Sequence, residues 1–315
     1  MLWEWKLKRS MAVFPTRSQA VRYDQIPHYY FYNMKKNYRY FLLLVLFIMP
    51  HCMMAKTATL DVMTFNARLD AEVDGINAWG NRKESVCRML EYYSPDLIGM
   101  QEVRPNQMED LKARMTGYAI VGAGRDDGEH EGEHCPILYS KDRFLLLKSG
   151  DFALSETPDV FGVKGWDASY NRIATWVVVK DKKTGKRIAY INTHLDNDGK
   201  VARVEGIKLV LEKMSVLAPG LPLIVSGDFN CVEDDPLSVL RTAEMSNCND
   251  KALISYGPEW TYHDYGRLPV NERQKIDYIF VSGEFGVDKY RVVGDKPDGH
   301  YLSDHCPVLV NLRIK

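Results

Sequence analysis

The sequence predicts an α/β protein in which two packed sheets are flanked by helices, and three observations carry that prediction. Strand-like and helix-like segments alternate along the chain. From Lys56 to Lys315 there is no Pro/Gly/Ser linker, low-complexity tract or internal repeat, and about 260 residues suit one large domain. The balance of 45% hydrophobic and 26% charged residues is that of a globular chain able to bury a sizeable core.

The first element read is N-terminal and lies outside the fold. Met34, Lys35, Lys36 and Arg39 precede an apolar run from Phe41 to Met49 and then Ala55, the order of a secretory signal peptide. The run is too short for a membrane span, which needs about 20 residues. Residues 34–55 are therefore expected to be a signal peptide, 1–33 an upstream extension without a fold, and 56–315 the catalytic domain. Export to the periplasm, cell envelope or medium follows, and a lipid anchor on Cys52 is an unfavoured alternative because His51 stands where a small residue is expected.

Leu60–Asn66 reads as a strand. Arg82–Tyr93 reads as a helix with Val86, Met89, Leu90 and Tyr93 on one face, stopped by Pro95, and Leu97–Glu102 as the next strand. Helical spacing returns at Met108, Leu111 and Met115, and at Val204, Ile207, Leu211 and Met214. Strand-like runs follow at Cys135–Ser140, Ile173–Val179, Arg187–Thr193, Leu223–Gly227, Asp277–Ser282 and Pro307–Arg313. Many strands with few helices between them imply two packed sheets with helices outside.

Composition bounds function. Residues 1–55 hold eight Lys/Arg and two Asp/Glu, so the remainder has 33 basic and 40 acidic groups and a net charge near −7. A basic footprint for tight nucleic-acid binding is missing, although a carboxylate-built metal site is itself acidic. Cys87, Cys135, Cys231, Cys248 and Cys306 are scattered, which is not a disulfide framework. One or two bridges remain open for an exported chain.

The chemistry is read at the strand ends, which are bordered by TFNAR, GMQEVR, NTHLD, SGDFN, KIDYIF and SDHCP. One Asp or Asn after a strand is usually a turn former. Six such borders together supply four carboxylates, two amides and two histidines, the set a hard-metal phosphoester site requires. Mg²⁺ and Mn²⁺ take oxygen ligands, with water and substrate phosphate completing the shell. Glu102, Asp304 and the Asp228/Asn230 pair are the candidate donors. Zinc is disfavoured by unclustered cysteines and the lack of HExxH.

In these motifs the chain resembles the endonuclease/exonuclease/phosphatase superfamily over about 250 residues, from Asp61 onward, with the motifs in that superfamily's order. The resemblance implies a four-layer α/β/β/α sandwich of two mostly antiparallel sheets, like deoxyribonuclease I. It implies Glu102 as principal metal ligand, with Asn66 supporting metal or phosphate and Asp304 and Asp228 completing the site. Asp228 and Asn230 would orient the attacking water and the scissile phosphate, and His305 would pair with Asp277. His194 sides with the histidine-bearing branch of deoxyribonuclease I, sphingomyelinases and deadenylases. By the same likeness Glu133 would pair with His194 as a catalytic acid, and Arg172 would contact phosphate. GRDDGEHEGEH, GWDASYNRIATW and TYHDYG resemble an uncharacterised exported bacterial branch.

The expected function is a Mg²⁺-dependent (Mn²⁺ possible) phosphoester hydrolase, foremost a phosphodiesterase or nuclease using in-line water attack. An exported phosphatase or phospholipase C-type hydrolase of small or lipid phosphoesters is the second reading, and a non-catalytic binding protein with the same fold is the remote one. The substrate is the only partner implied, and a monomer is expected. Loops at 124–133, 162–172 and 256–274, with Trp166, Trp260, Tyr262, His263 and Tyr265, are expected to border the site.

Overall fold

The computed structural model describes residues 59–232 and 235–314; the expected extension, the signal peptide and Cys52 lie outside the described residues. Among the described residues no helix is long and apolar enough to cross a membrane.

Seven strands form the first sheet: β1 (Thr59–Asn66), β2 (Leu97–Gln101), β3 (Tyr118–Val121), β4 (Ile137–Ser140), β10 (Ile254–Tyr256), β12 (Phe285–Val292) and β13 (Val308–Ile314), in the order β10-β12-β13-β1-β2-β4-β3. Six form the second: β5 (Phe144–Ala153), β6 (Ile173–Asp181), β7 (Arg187–His194), β8 (Leu223–Asp228), β9 (Ser246–Asn247) and β11 (Asp277–Val281), in the order β5-β6-β7-β8-β11-β9. Most neighbouring pairs are antiparallel. Of the three parallel pairs, β1/β2, β7/β8 and β10/β12, the first two are joined by crossover helices α1 (Trp79–Tyr93) and α3 (Lys200–Leu217), as parallel neighbours require. The remaining helices are α2 (Pro105–Arg114), α4 (Asp235–Thr242) and α5 (Cys248–Lys251).

Alternation along β1 explains the layers. Leu60 and Val62 enter the core between the sheets with Val177, Ile188, Ile224 and Val310. Met63 and Phe65 face outward under Val86, Leu90, Met108 and Leu111 of α1 and α2. On the second sheet, Ile191, Val225 and Phe280 are covered by Ile207, Val210, Leu237 and Leu240 of α3 and α4. The result is the expected α/β/β/α sandwich. The buried face of α3 is Ala202, Gly206, Ile207, Val210 and Met214; Val204 and Leu211, expected on it, are only half-buried.

The inter-sheet layer turns polar towards one end, and that end carries the site. A strand repeats its facing every two residues, so Thr64, Asn192 and Ser226 share the inward face with Asn66, His194 and Asp228. Gln101 Nε2 donates to Asn192 Oδ1 at 2.7 Å and to Thr64 Oγ1 at 3.0 Å. Asn192 Nδ2 donates to the carbonyls of Met100 and Cys135 at 2.7 and 3.1 Å. Buried polar groups need such partners, and all of these bonds except Gln101–Thr64 join the two sheets. They fix the spacing of the strand ends just above.

No described cysteine is bridged: Cys87, Cys135, Cys231, Cys248 and Cys306 are free. Four of them are buried on separate elements, so the bridges left open by the sequence do not form.

Candidate active site

Registry places the catalytic-type residues in a row. His194 pairs with Asp228 across the parallel β7/β8 ladder, and Asp228 pairs with Asp277 across the antiparallel β8/β11 ladder. In the opposite sheet Asn66 pairs with Gln101, the residue before Glu102. The C-terminal ends of both crossover units therefore meet at one rim.

Asn66 ties the two halves together. Its Nδ2 donates to Glu102 Oε1 and to Asp228 Oδ2, both at 2.9 Å. Glu102 has φ +60°, a left-handed backbone that costs a residue with a Cβ roughly 1–3 kcal/mol. That turn brings its carboxylate back to Asn66 and to the Leu69 N–H at 3.1 Å. Arg68, held by two hydrogen bonds to Asp74 at 3.0 and 3.2 Å, lies 3.8 Å from Glu102 and 3.9 Å from Asp304. The neighbouring Arg82 is buried and donates to the carbonyls of Ala67 and Leu302, so one guanidinium clamps the segments that follow Asn66 and precede Asp304.

Around Asp228 the geometry is tighter. Asn230 has φ +49° and its N–H donates to Asp228 Oδ1 at 3.0 Å, a turn in which the Asp side chain holds its own backbone. The Asn230 side chain thereby returns to the cleft, where Nδ2 donates to the Leu195 carbonyl at 2.9 Å and sits 3.0 Å from His194 Nε2. Asp228 Oδ2 lies 3.6 Å from His194 Nε2 and 3.8 Å from His305 Nε2. His305 Nδ1 donates to Asp277 Oδ2 at 2.8 Å. Asp304 and His305 are carried on a loop pinned by Ser303 Oγ, which donates to the Asn66 carbonyl at 2.7 Å, and by the Cys306 N–H to Thr261 O bond at 2.7 Å.

The two histidines take opposite charge states. Burial opposes a proton on His305, but Asp277 and Asp228 outweigh it and raise its pKa to about 10. Burial, followed by Arg172, Arg125 and His305, holds His194 well below the usual imidazole range. His194 is thus neutral; with Asn230 Nδ2 as donor to Nε2, its proton sits on Nδ1, which is buried and unpartnered. Asp228 is raised to about 7 by burial and then by Asp277, and Asp304 is raised by burial.

One expected pairing is corrected. Glu133 does not touch His194; its carboxylate takes a hydrogen bond from Arg125 Nη1 at 2.8 Å. The loop folds back so that the Arg125 N–H donates to the Glu133 carbonyl at 3.1 Å, which sets the two side chains together, and a nearly buried carboxylate takes the nearest cation. Arg172 does line the cleft, held by Asp196 Oδ2 at 3.2 Å and Asn197 Oδ1 at 2.9 Å.

Glu102, His194, Asp228, Asn230, Asp304 and His305 line one cleft of about 540 Å³, whose wall includes Arg68, Arg104, Arg125, Tyr170 and Tyr262, while Asn66 and Asp277 are fully buried and do not line it. Of the aromatics expected at the rim only Tyr262 lines it, its ring 4.9 Å from that of His305. Trp260 and His263 line a separate cavity behind His305, and Tyr265 packs on Arg82 and Tyr301. Sequence reasoning missed Arg68, Arg125, Tyr170 and Asp196. The signal for Arg68 and Asp196 was their place two residues beyond Asn66 and His194 on the same rim.

Two donor sets could hold a cation. Asp228, Asp277 and His305 present ligand atoms within 4.8 Å of one another, but Asp277 and His305 are already joined by their own hydrogen bond. The carboxylate oxygens of Glu102, Asp304 and Asp228 suit a hard divalent ion better, with Asn66 turning its Nδ2 to Glu102 and Asp228 while its Oδ1 accepts from the Arg68 N–H at 2.9 Å.

An inner core of paired acids, amides and imidazoles on the rim of a four-layer sandwich defines a phosphoester hydrolase. The chain belongs to the Endonuclease/Exonuclease/phosphatase family, whose model matches residues 63–305. An endonuclease/exonuclease/phosphatase from Bacteroides vulgatus is 38% identical, with a TM-score of 0.80 over 82% of this chain and 100% of that one. A mannosyl-6-phosphatase from Bacteroides thetaiotaomicron is 36% identical, with a TM-score of 0.76 over 80% of this chain and 99% of that one. Human tyrosyl-DNA phosphodiesterase 2 is 28% identical over 56% of this chain, which spans only 42% of that protein.

Proposed function

We propose that the protein is a divalent-metal-dependent phosphatase of small phosphomonoesters, with sugar phosphates the foremost class. The observation that carries this reading is the cleft: at about 540 Å³ it matches small-molecule sites, and four arginines line it around the carboxylate centre. The likeness to a mannosyl-6-phosphatase across nearly that whole chain supports it.

Glu102, Asp304 and Asp228 would hold the ion, which when bound supplies Lewis acidity at a phosphoryl oxygen. Asp228, fixed by Asn66 and Asn230, orients a water for in-line attack. Neutral His194, its Nε2 3.6 Å from Asp228 Oδ2, would help to position that water. His305, held as an imidazolium by Asp277, offers Nε2–H to charge developing on phosphorus or the leaving oxygen. Arg172 binds a phosphoryl oxygen.

A phosphodiesterase or nuclease is the second reading, favoured by Tyr170, a half-exposed ring on the cleft wall that offers a stacking face to a base. A panel of hexose phosphates, 4-nitrophenyl phosphate, bis(4-nitrophenyl) phosphate, oligonucleotides, sphingomyelin and inositol phosphates, with Mg²⁺ and Mn²⁺, separates the readings. Turnover confined to polynucleotides or lipids would overturn the phosphatase. Export rests on the 34–55 segment, and N-terminal sequencing of protein recovered from culture fractions tests it.

A further inference from the structure

We infer that Arg125 is a specificity-determining residue, which selects substrates bearing a dianionic terminal phosphate; this rests on the phosphatase reading. Arg125 reaches the cleft from the β3–β4 loop, which carries none of the six strand-end motifs. The loop is rigid where it matters: Arg125 N–H donates to Glu133 O at 3.1 Å, and Arg125 O accepts from Gly162 N–H at 3.3 Å. Asp126, the next residue, accepts from Asn171 Nδ2 at 2.8 Å. The guanidinium is thus held against the 155–172 loop by contacts on both sides.

Arg125 and Arg172 share one aromatic ring. Each Cζ lies 5.6 Å from the Tyr170 centroid, a cation–π geometry that fixes two positive groups as a pair on the cleft wall beside His194. Their remaining bonds differ. Arg172 donates from Nε to Asp196 and from Nη2 to Asn197. Arg125 makes one hydrogen bond, through Nη1 to Glu133, and its Nε is buried without a partner. Each guanidinium keeps a terminal nitrogen without a hydrogen bond among the described residues, Nη1 in Arg172 and Nη2 in Arg125, so the two present donors side by side.

A phosphomonoester carries a second charge near neutrality, since its second pKa is about 6, whereas a diester carries one. Glu102, Asp228 and Asp304 would be taken up by the ion, so the additional charge of a monoester needs its own cation on the cleft wall. Arg125, set beside Arg172 on the Tyr170 ring, supplies that cation through Nη2, and an ester group in that position would leave it unsatisfied. A charge-assisted hydrogen bond of this kind changes rate or affinity roughly 10- to 100-fold.

The experiment compares wild type with Arg125→Gln and Arg125→Lys on 4-nitrophenyl phosphate and bis(4-nitrophenyl) phosphate, together with competitive inhibition by inorganic phosphate. For Arg125→Gln the expected result is a kcat/KM on the monoester lowered about 10- to 100-fold, a diester rate within threefold, and phosphate inhibition weakened in proportion; Arg125→Lys recovers part of both. Equal losses on both esters, or no loss on either, would overturn the inference, and unchanged circular dichroism and melting temperature exclude misfolding. If wild type hydrolyses no monoester, the phosphatase reading fails by itself. Phosphate binding by calorimetry then still decides Arg125: a wild-type affinity retained in Arg125→Gln would sink its role as an anion ligand.

Discussion

Asp277→Asn changes one charge at a site where the consequence can be worked out. Asp277 is fully buried, its Oδ2 accepts from His305 Nδ1 at 2.8 Å, and its Oδ1 has no partner. Asparagine keeps the shape and an accepting oxygen but removes the ion. A charge-assisted bond contributes about 1.5–3 kcal/mol, and 1.36 kcal/mol is one pKa unit, so the imidazolium should lose its proton about one to two pH units earlier. The sign follows from the raised folded value: His305 stays charged until pH rises through about 10, and the stabilisation is complete below the unfolded value of about 6.5. The alkaline limb of kcat/KM on 4-nitrophenyl phosphate should therefore move down by one to two units. At pH 8 half or more of the imidazolium then remains and the rate should fall by no more than about twofold, whereas near pH 10 it should be roughly 5- to 50-fold below wild type. The NMR titration of the His305 ring should shift in parallel. A variant with an unchanged limb and a rate near pH 10 within threefold of wild type would refute the role given to the pair.

Asp196→Asn removes the anion that Arg172 shares with the backbone N–H groups of Ser169, Tyr170, Asp198 and Gly199. Breaking such a buried pair costs about 3 kcal/mol, or a melting temperature lower by roughly 6–12 °C for a domain of this size; calorimetry checks it. Burial opposes the Asp196 charge, but Gly199, Ser169 and Arg172 prevail and hold its pKa down to about 2. Its contribution is present above pH 4 and fades as pH falls towards 2, so urea melts of the Asn variant should lose less stability across that window than wild type. Gly99→Ala would place a methyl 2.4 Å from Asn192 Oδ1 and 2.5 Å from the Tyr190 hydroxyl; overpacking there should cost about 1–3 kcal/mol, visible in denaturant melts.

The layers were legible because buried strands announce themselves: Ile173–Val179 and Leu223–Gly227 are apolar runs with inward and outward faces both covered. Strands β5 and β12 were not. Each carries a bulge, between Leu146 and Lys148 and between Val287 and Lys289, which breaks the period of two, and β5 is an edge strand whose middle is half-exposed and polar. The catalytic-type residues were legible because strand ends in register must share a rim, as His194, Asp228 and Asp277 do. The Glu133 partner was not, since which cation meets it depends on how the fifteen-residue stretch between β3 and β4 folds back on itself, through backbone bonds that side-chain identity does not encode.

The central claim is that Glu102, with Asp304 and Asp228, holds the ion on which phosphoester cleavage depends. Calorimetric titration of Mg²⁺ or Mn²⁺ into wild type and Glu102→Gln, read beside phosphate release from the monoester panel, tests it most directly. The account predicts saturable binding by wild type that weakens at least about tenfold in the variant, with activity abolished by chelation and restored by metal. Equal metal affinity in both proteins, or full phosphate release in the presence of a chelator, would contradict it.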